Sequence, residues 1–223
     1  GNLIAEGDKN KILKVFKELL AIRLFVASIA AACIYTFASP FIGVWLGNEY
    51  ILGNHTVALI AVLSGLAIAR GVLDQFCYGC GLFADVWAPY AESLIMVVFA
   101  VAGGYYYGLP GVLCGPLVSI IAIIYVWKPY YLFSRGFKLS VLKYWKLFAI
   151  NISATVIAFF ATNFIFNRFI QVRISTDNWL GLIASGAIYT VIITTITFIA
   201  YCTISSGFKE FVRRSKLFKK IIK

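Results

Sequence analysis

Apolar positions along this chain gather into six runs that read as membrane-spanning helices: about Ala21 to Val44, Thr56 to Tyr78, Ala88 to Tyr107, Val112 to Trp127, Leu147 to Phe166 and Trp179 to Thr203. The stretch before the first run has a different pattern. From Gly1 to Leu20, Ile12, Leu13, Phe16 and Leu20 recur at helical spacing, and Lys9, Lys11, Lys14 and Lys17 supply a polar side. Asp8 is placed to cap that helix. Such a helix is expected to lie in the membrane interface with its lysines near anionic headgroups, or else to form a solvated helical loop. The pattern therefore predicts an all-α membrane protein in three parts. These are an amphipathic interfacial segment (1–20), a domain of six transmembrane helices (21–203) and a basic tail (204–223).

Glycine, proline and tryptophan punctuate the runs. Pro40 marks a kink or helix end, and Trp45 follows as an interfacial anchor. Gly108-Leu-Pro-Gly111 is a turn signature, and Gly115-Pro116 a kink site within the fourth run.

Composition agrees with this class. The chain is 61% hydrophobic and 13% charged, with a mean hydropathy of +0.89. A soluble domain of 223 residues has too little interior to hide that surface. The net charge of +11 would suggest nucleic acid in a soluble protein. Here the basic residues sit between and after the apolar runs, so they point to topology and to anionic membrane lipid, and no nucleic-acid partner is expected. Four lysines precede the first run. Five Lys or Arg follow the fourth run, from Lys128 to Lys146, and seven lie in the tail. The three loops on the opposite side hold only Arg168 and Arg173. By the positive-inside rule both ends are cytoplasmic. The turn after the second run is the exception, being cytoplasmic by alternation yet without Lys or Arg. No signal-peptide pattern opens the chain, which starts Gly-Asn-Leu-Ile without Met and reads as a cut inside a longer protein.

Candidate chemistry centres on the second run. Arg70 and Asp74 lie four residues apart on one helix face, with Gln75 beside them, and Glu92 lies one turn inside the third run. Ionisable groups at membrane depth face a bundle interior or a water-filled cavity. Arg70, Asp74, Gln75 and Glu92 are the candidate substrate-binding residues; the competing reading is a self-neutralising Arg70–Asp74 pair that holds helices together. Asp74 is also a candidate protonatable coupling site. Asn151 and Asn163 suit helix–helix hydrogen bonds, and Tyr105, Tyr106 and Tyr107 suit an aromatic belt. Cys77 and Cys80 form a lone CxxC, and His55 is the single histidine. No metal site, cofactor or catalytic residue is expected from this set.

Four stretches resemble the carboxy-terminal portion of Wzx-type polysaccharide flippases, of the multidrug/oligosaccharidyl-lipid/polysaccharide exporter superfamily. They are GNLIAEGDKNKILKVF, SPFIGVWLGNEY with its W-L-G-x-x-Y ending, YYYGLPGVLCGPLVS and WKPYYLF. The resemblance covers nearly the whole chain. It implies the second bundle of a two-bundle transporter plus two terminal helices, the N-terminal bundle being absent from this sequence. It also implies a bacterial inner-membrane location and a lipid-linked oligosaccharide as cargo, the sugar riding on undecaprenyl pyrophosphate. Arg70 would then meet the diphosphate, because a guanidinium offers forked donors. Three alternatives stand beside it: a multidrug exporter of the same superfamily, a membrane-embedded glycan-assembly enzyme (glycosyltransferase or polymerase), and a structural membrane protein.

Overall fold

The computed structural model describes residues 8–170 and 176–215. Arg173, Gly7 of the opening motif and the tail lysines 216, 219, 220 and 223 lie outside the described residues. Among the described residues every regular element is helical. Six helices are long and apolar enough to cross a membrane, so the chain is an all-α, multi-pass membrane protein.

Helix α1 (Lys9–Trp45) starts at Asp8, whose carboxylate accepts from the backbone N–H of Asn10 at 2.9 Å and of Lys11 at 3.2 Å. It runs unbroken for 37 residues through Pro40. That is about 55 Å, against about 30 Å of hydrocarbon. The amphipathic stretch expected as a separate interfacial segment is therefore the first third of the same helix. Its apolar face is not laid on the membrane: Ile12, Phe16 and Leu20 are buried in the core. Nothing between Leu20 and Arg23 breaks a helix, and the apolar stripe continues straight into the span.

Helices α2 (Asn54–Gly79) and α3 (Trp87–Tyr107) fall within two residues of the sequence reading. Helix α4 (Leu109–Phe137) does not. It continues ten residues beyond the expected end at Trp127, so the basic connection shrinks to a few residues around Lys138. Pro129 does not stop it, because π-helical stretches at Ile120–Trp127 and Leu132–Phe137 flank that turn and loosen the backbone ladder. Lys138, in the left-handed region at φ 53°, ends it. Helices α5 (Leu142–Phe169) and α6 (Trp179–Ile204) complete the spans. The tail then forms a nine-residue helix, α7 (Ser206–Arg214).

Helix α1 is the hub, packing against α2, α5, α6 and α7. At the basic end, the Phe16 ring meets Phe76, Phe133 and Phe137 edge-on at centroid separations of 5.2, 5.4 and 5.6 Å. One ring thus ties α1 to α2 and α4, and Tyr144 of α5 closes the cluster. Toward the other end a smaller core forms from Ala32, Phe166, Tyr189 and Ile193. Helix α3 stands apart. It packs chiefly on α4, and Ala88 is its one buried residue.

Candidate functional site

The candidate residues of the second run sit on the side of α2 that faces the α3–α4 hairpin. Helical spacing brings Arg70 Nε to 3.6 Å from Asp74 Oδ2. Helix α3 then delivers Glu92, whose Oε1 lies 3.1 Å from Arg70 Nη1. Helix α4 delivers a fourth charge: Lys128 Nζ pairs with Asp74 Oδ1. Two cations and two carboxylates from three helices form one chain, Glu92–Arg70–Asp74–Lys128, with no net charge.

Position along the helices sets the depth. Arg70 lies nine residues before Gly79 and Glu92 five after Trp87. These correspond to about 14 Å and about 8 Å from the basic end of the bundle. The cluster is graded in exposure. Lys128 is 12% exposed and Arg70 35%. The Asp74–Lys128 half is therefore the more enclosed, and the Arg70 side chain the more exposed. Tyr125, on the π-helical turn one step before Lys128, donates to the Leu66 carbonyl at 2.6 Å. That bond fixes α4 against α2 just beside the cluster.

Three of the four expected site residues, Arg70, Asp74 and Glu92, are brought together. Gln75 is not: it is exposed, about 100° around α2 from Asp74, and hydrogen-bonds no described residue. Lys128 was read as a loop charge that orients the protein. The extension of α4 makes it a helix residue instead, and the signal in the sequence was its place directly after an apolar run, ahead of Pro129. Arg23, near the start of the first apolar run, lies with its guanidinium over Gly71, where a Cβ would stand 3.8 Å from Cζ. It pairs with no carboxylate among the described residues.

The other polar candidates serve packing. Asn151 donates to Leu147 O at 2.7 Å and Asn163 to Phe159 O at 2.9 Å, both within α5. Between helices, the Tyr189 hydroxyl of α6 donates to Asn163 Oδ1 at 3.5 Å, and the Thr155 and Tyr201 hydroxyls lie 2.8 Å apart. Tyr105, Tyr106 and Tyr107 are exposed at the far end of α3. Gly103 and Gly111 face each other so closely that a Cβ on either would overlap the other's carbonyl. The Cys77 and Cys80 thiols are free.

The turn after α2 has no basic residue of its own, yet it lies among basic residues of α4. A cleft of about 430 Å³ there is lined by Asp85 from the turn and by Trp127 and Arg135 from α4.

No protein-family model, curated protein or solved structure matches this chain.

Proposed function

We propose that this bundle helps carry a lipid-linked oligosaccharide across the bacterial inner membrane by alternating access, both ends of the chain facing the cytoplasm. The cargo headgroup is a diphosphate bearing a glycan, as in undecaprenyl-pyrophosphate-linked units for surface polysaccharide. The N-terminal bundle that the resemblance implies would complete the pathway.

The observation that carries this reading is the Arg70–Glu92 contact at the more exposed end of the cluster. Arg70 spans the gap between α2 and α3 through a single carboxylate, Glu92. A diphosphate offers the same acceptor geometry with more charge, so it competes with Glu92 for the guanidinium. Lys128 meanwhile keeps Asp74 occupied. Displacing Glu92 frees α3 from α2, which links headgroup binding to movement of the α3–α4 hairpin. Without cargo the four charges balance, so the empty site is stable at membrane depth. Arg23, unpaired beside Gly71, supplies a second cation for the headgroup.

A second reading is favoured by the same charge balance: the cluster only fastens three helices. The two readings separate in the protein that bears this chain. Arg70→Ala is expected to block surface polysaccharide while the protein still accumulates in the membrane. The charge-swapped pair R70E/E92R rebuilds the helix contact with the cation moved to α3. If Arg70 meets the headgroup, the swapped protein accumulates in the membrane and still fails to restore polysaccharide. Full polysaccharide from the swapped protein would remove headgroup contact and leave the fastening role. A reporter fused after Lys223 is expected in the cytoplasm; an external signal would overturn the orientation.

A further inference from the structure

A second charged feature lies at the basic end, on the other side of α1 from the α3–α4 hairpin. Lys17 of α1, Lys143 and Lys146 of α5 and Ser206 of α7 line a cleft of about 330 Å³, floored by Leu13, Leu147 and Ile150. The lining contains no carboxylate. Four other basic residues of this end are answered within the chain. Lys14 pairs with Glu210, Lys128 with Asp74 and Arg214 with Glu18, and Lys209 donates to the Thr203 carbonyl. Lys17, Lys143 and Lys146 have no ion-pair partner among the described residues. Three uncompensated ammonium groups in one concavity repel one another unless an anion sits between them.

The level of the cleft identifies the anion. Lys143 and Lys146 stand in the first turns of α5, where that span leaves the hydrocarbon, and Ser206 opens α7 just past the end of α6. Phosphate groups of a bilayer lie at that level. Lys143, Lys146, Leu147 and Ile150 follow the spacing i, i+3, i+4, i+7, one stripe down α5. The stripe is cationic at the top and apolar below, matching a phosphate ester with an acyl chain beneath it. We infer that the Lys17–Lys143–Lys146 cleft is a binding site for the phosphate headgroup of an anionic glycerophospholipid, seated at the junction of α1, α5 and α7. Its occupant bridges α1 and α5, whose lysines otherwise repel at this point, beside Ser206 of α7. The site is separate from the Arg70 cluster, so it stands whether or not that cluster carries cargo.

The test is lipid retention by the intact chain in mixed phosphatidylcholine and phosphatidylglycerol nanodiscs, read as lipid adducts by native mass spectrometry. The unaltered chain is expected to hold phosphatidylglycerol over phosphatidylcholine by at least about tenfold. The variant K17Q/K143Q/K146Q should lose that preference. K138Q/R213Q, which removes two basic residues outside the cleft, should keep it, and so should K17R/K143R/K146R, which guards against a folding defect. Equal retention of the two lipids by the unaltered chain would overturn the inference, and so would a preference that survives K17Q/K143Q/K146Q. Displacement of the lipid by millimolar inorganic phosphate would also overturn it, since the site would then read a soluble anion and ignore the acyl chain.

Discussion

Helix pairs in this bundle are held together in two opposite ways. α3 and α4 meet backbone against backbone, through Gly103 on Gly111 and Gly115 on the main chain of α3 at Met96 and Ala100. α1 meets its neighbours through rings, with Phe16 at the centre. The difference follows from the solvent. Within lipid, apolar side chains gain nothing by leaving acyl chains, so close backbone approach and polar contacts decide which helices pair. Near the basic end water returns, and burying rings again releases free energy. Of the glycine-packed pair, α4 is built into the main core through Ile124, Leu132 and Phe133, while α3 buries only Ala88 and stands apart. Its outer face, at Tyr90, Leu94, Val97, Val98 and Val101, touches none of the rest of the bundle's core. Near the basic end this pair is fastened to α2 by charge, at Glu92 and Lys128, by the Tyr125 hydroxyl and by the Phe137 ring against Phe76.

The sharpest way to break this contrast is to fill the glycine contact. Gly111→Leu puts a side chain where the Gly103 carbonyl stands, and no rotamer avoids the clash because the obstacle is backbone. We expect a loss above about 4 kcal/mol, seen as failure to recover folded protein in mild detergent. Wild-type recovery would mean that the hairpin is not glycine-packed. Next in size is Phe16→Ala, which empties the centre of the ring cluster and is expected to cost about 3 kcal/mol in denaturation by an anionic detergent. Phe16→Leu should recover more than half of that loss. Third is Lys128→Met. It leaves Asp74 enclosed with one distant cation, Arg70 Nε at 3.6 Å, and is expected to cost about 2 kcal/mol after allowing for water at the margin. The double variant D74N/K128M should restore most of it, a coupling that a double-mutant cycle reads directly. Additive losses would show that the two charges do not meet.

Span number and span limits were legible because the apolar period and the turn residues agree along most of the chain. The departures share one cause. Lys128, Pro129 and Arg135 look like loop residues on any hydropathy scale, yet the π-helical turns let α4 carry them past the membrane's edge. Lys9 to Lys17 look like an interfacial helix, but the face opposite the lysines is covered by α2, α4 and α5 rather than by lipid. Local pattern shows that a face is apolar and leaves open what covers it. For the charge cluster, the pairing of Arg70 with Asp74 follows from spacing within one helix. The arrival of Glu92 and Lys128 depends on which helices neighbour α2, and that order is not written in any local period. Gln75 shows the same limit, since adjacency to Asp74 in sequence turns it about 100° away.

The smallest expected effect concerns a carboxylate answered in yet another way. Glu18 is 1% exposed, and Arg214 of α7, itself 61% exposed, reaches it at 2.5 Å. Asp74 has two cations from two helices; Glu18 has one, held on a nine-residue helix that follows the last span. Its second oxygen, Oε1, has no hydrogen-bond partner among the described residues. The two halves of this pair should therefore respond unequally. Arg214→Ala strands a buried negative charge and is expected to lower stability by about 1 kcal/mol or slightly more, because water at the exposed arginine already screens the attraction. Glu18→Gln removes the charge that needed an answer, so its effect should be smaller than about 0.5 kcal/mol. The contrast is read in the release of α7, as proteolysis after Arg213 and Arg214: faster in Arg214→Ala at its remaining site, little changed in Glu18→Gln. Equal acceleration in both would mean that α7 is held by the ion pair. Little change in Glu18→Gln would assign its docking to Phe208, whose ring packs on Phe25 at 5.0 Å, and to Gly207 against the α1 backbone.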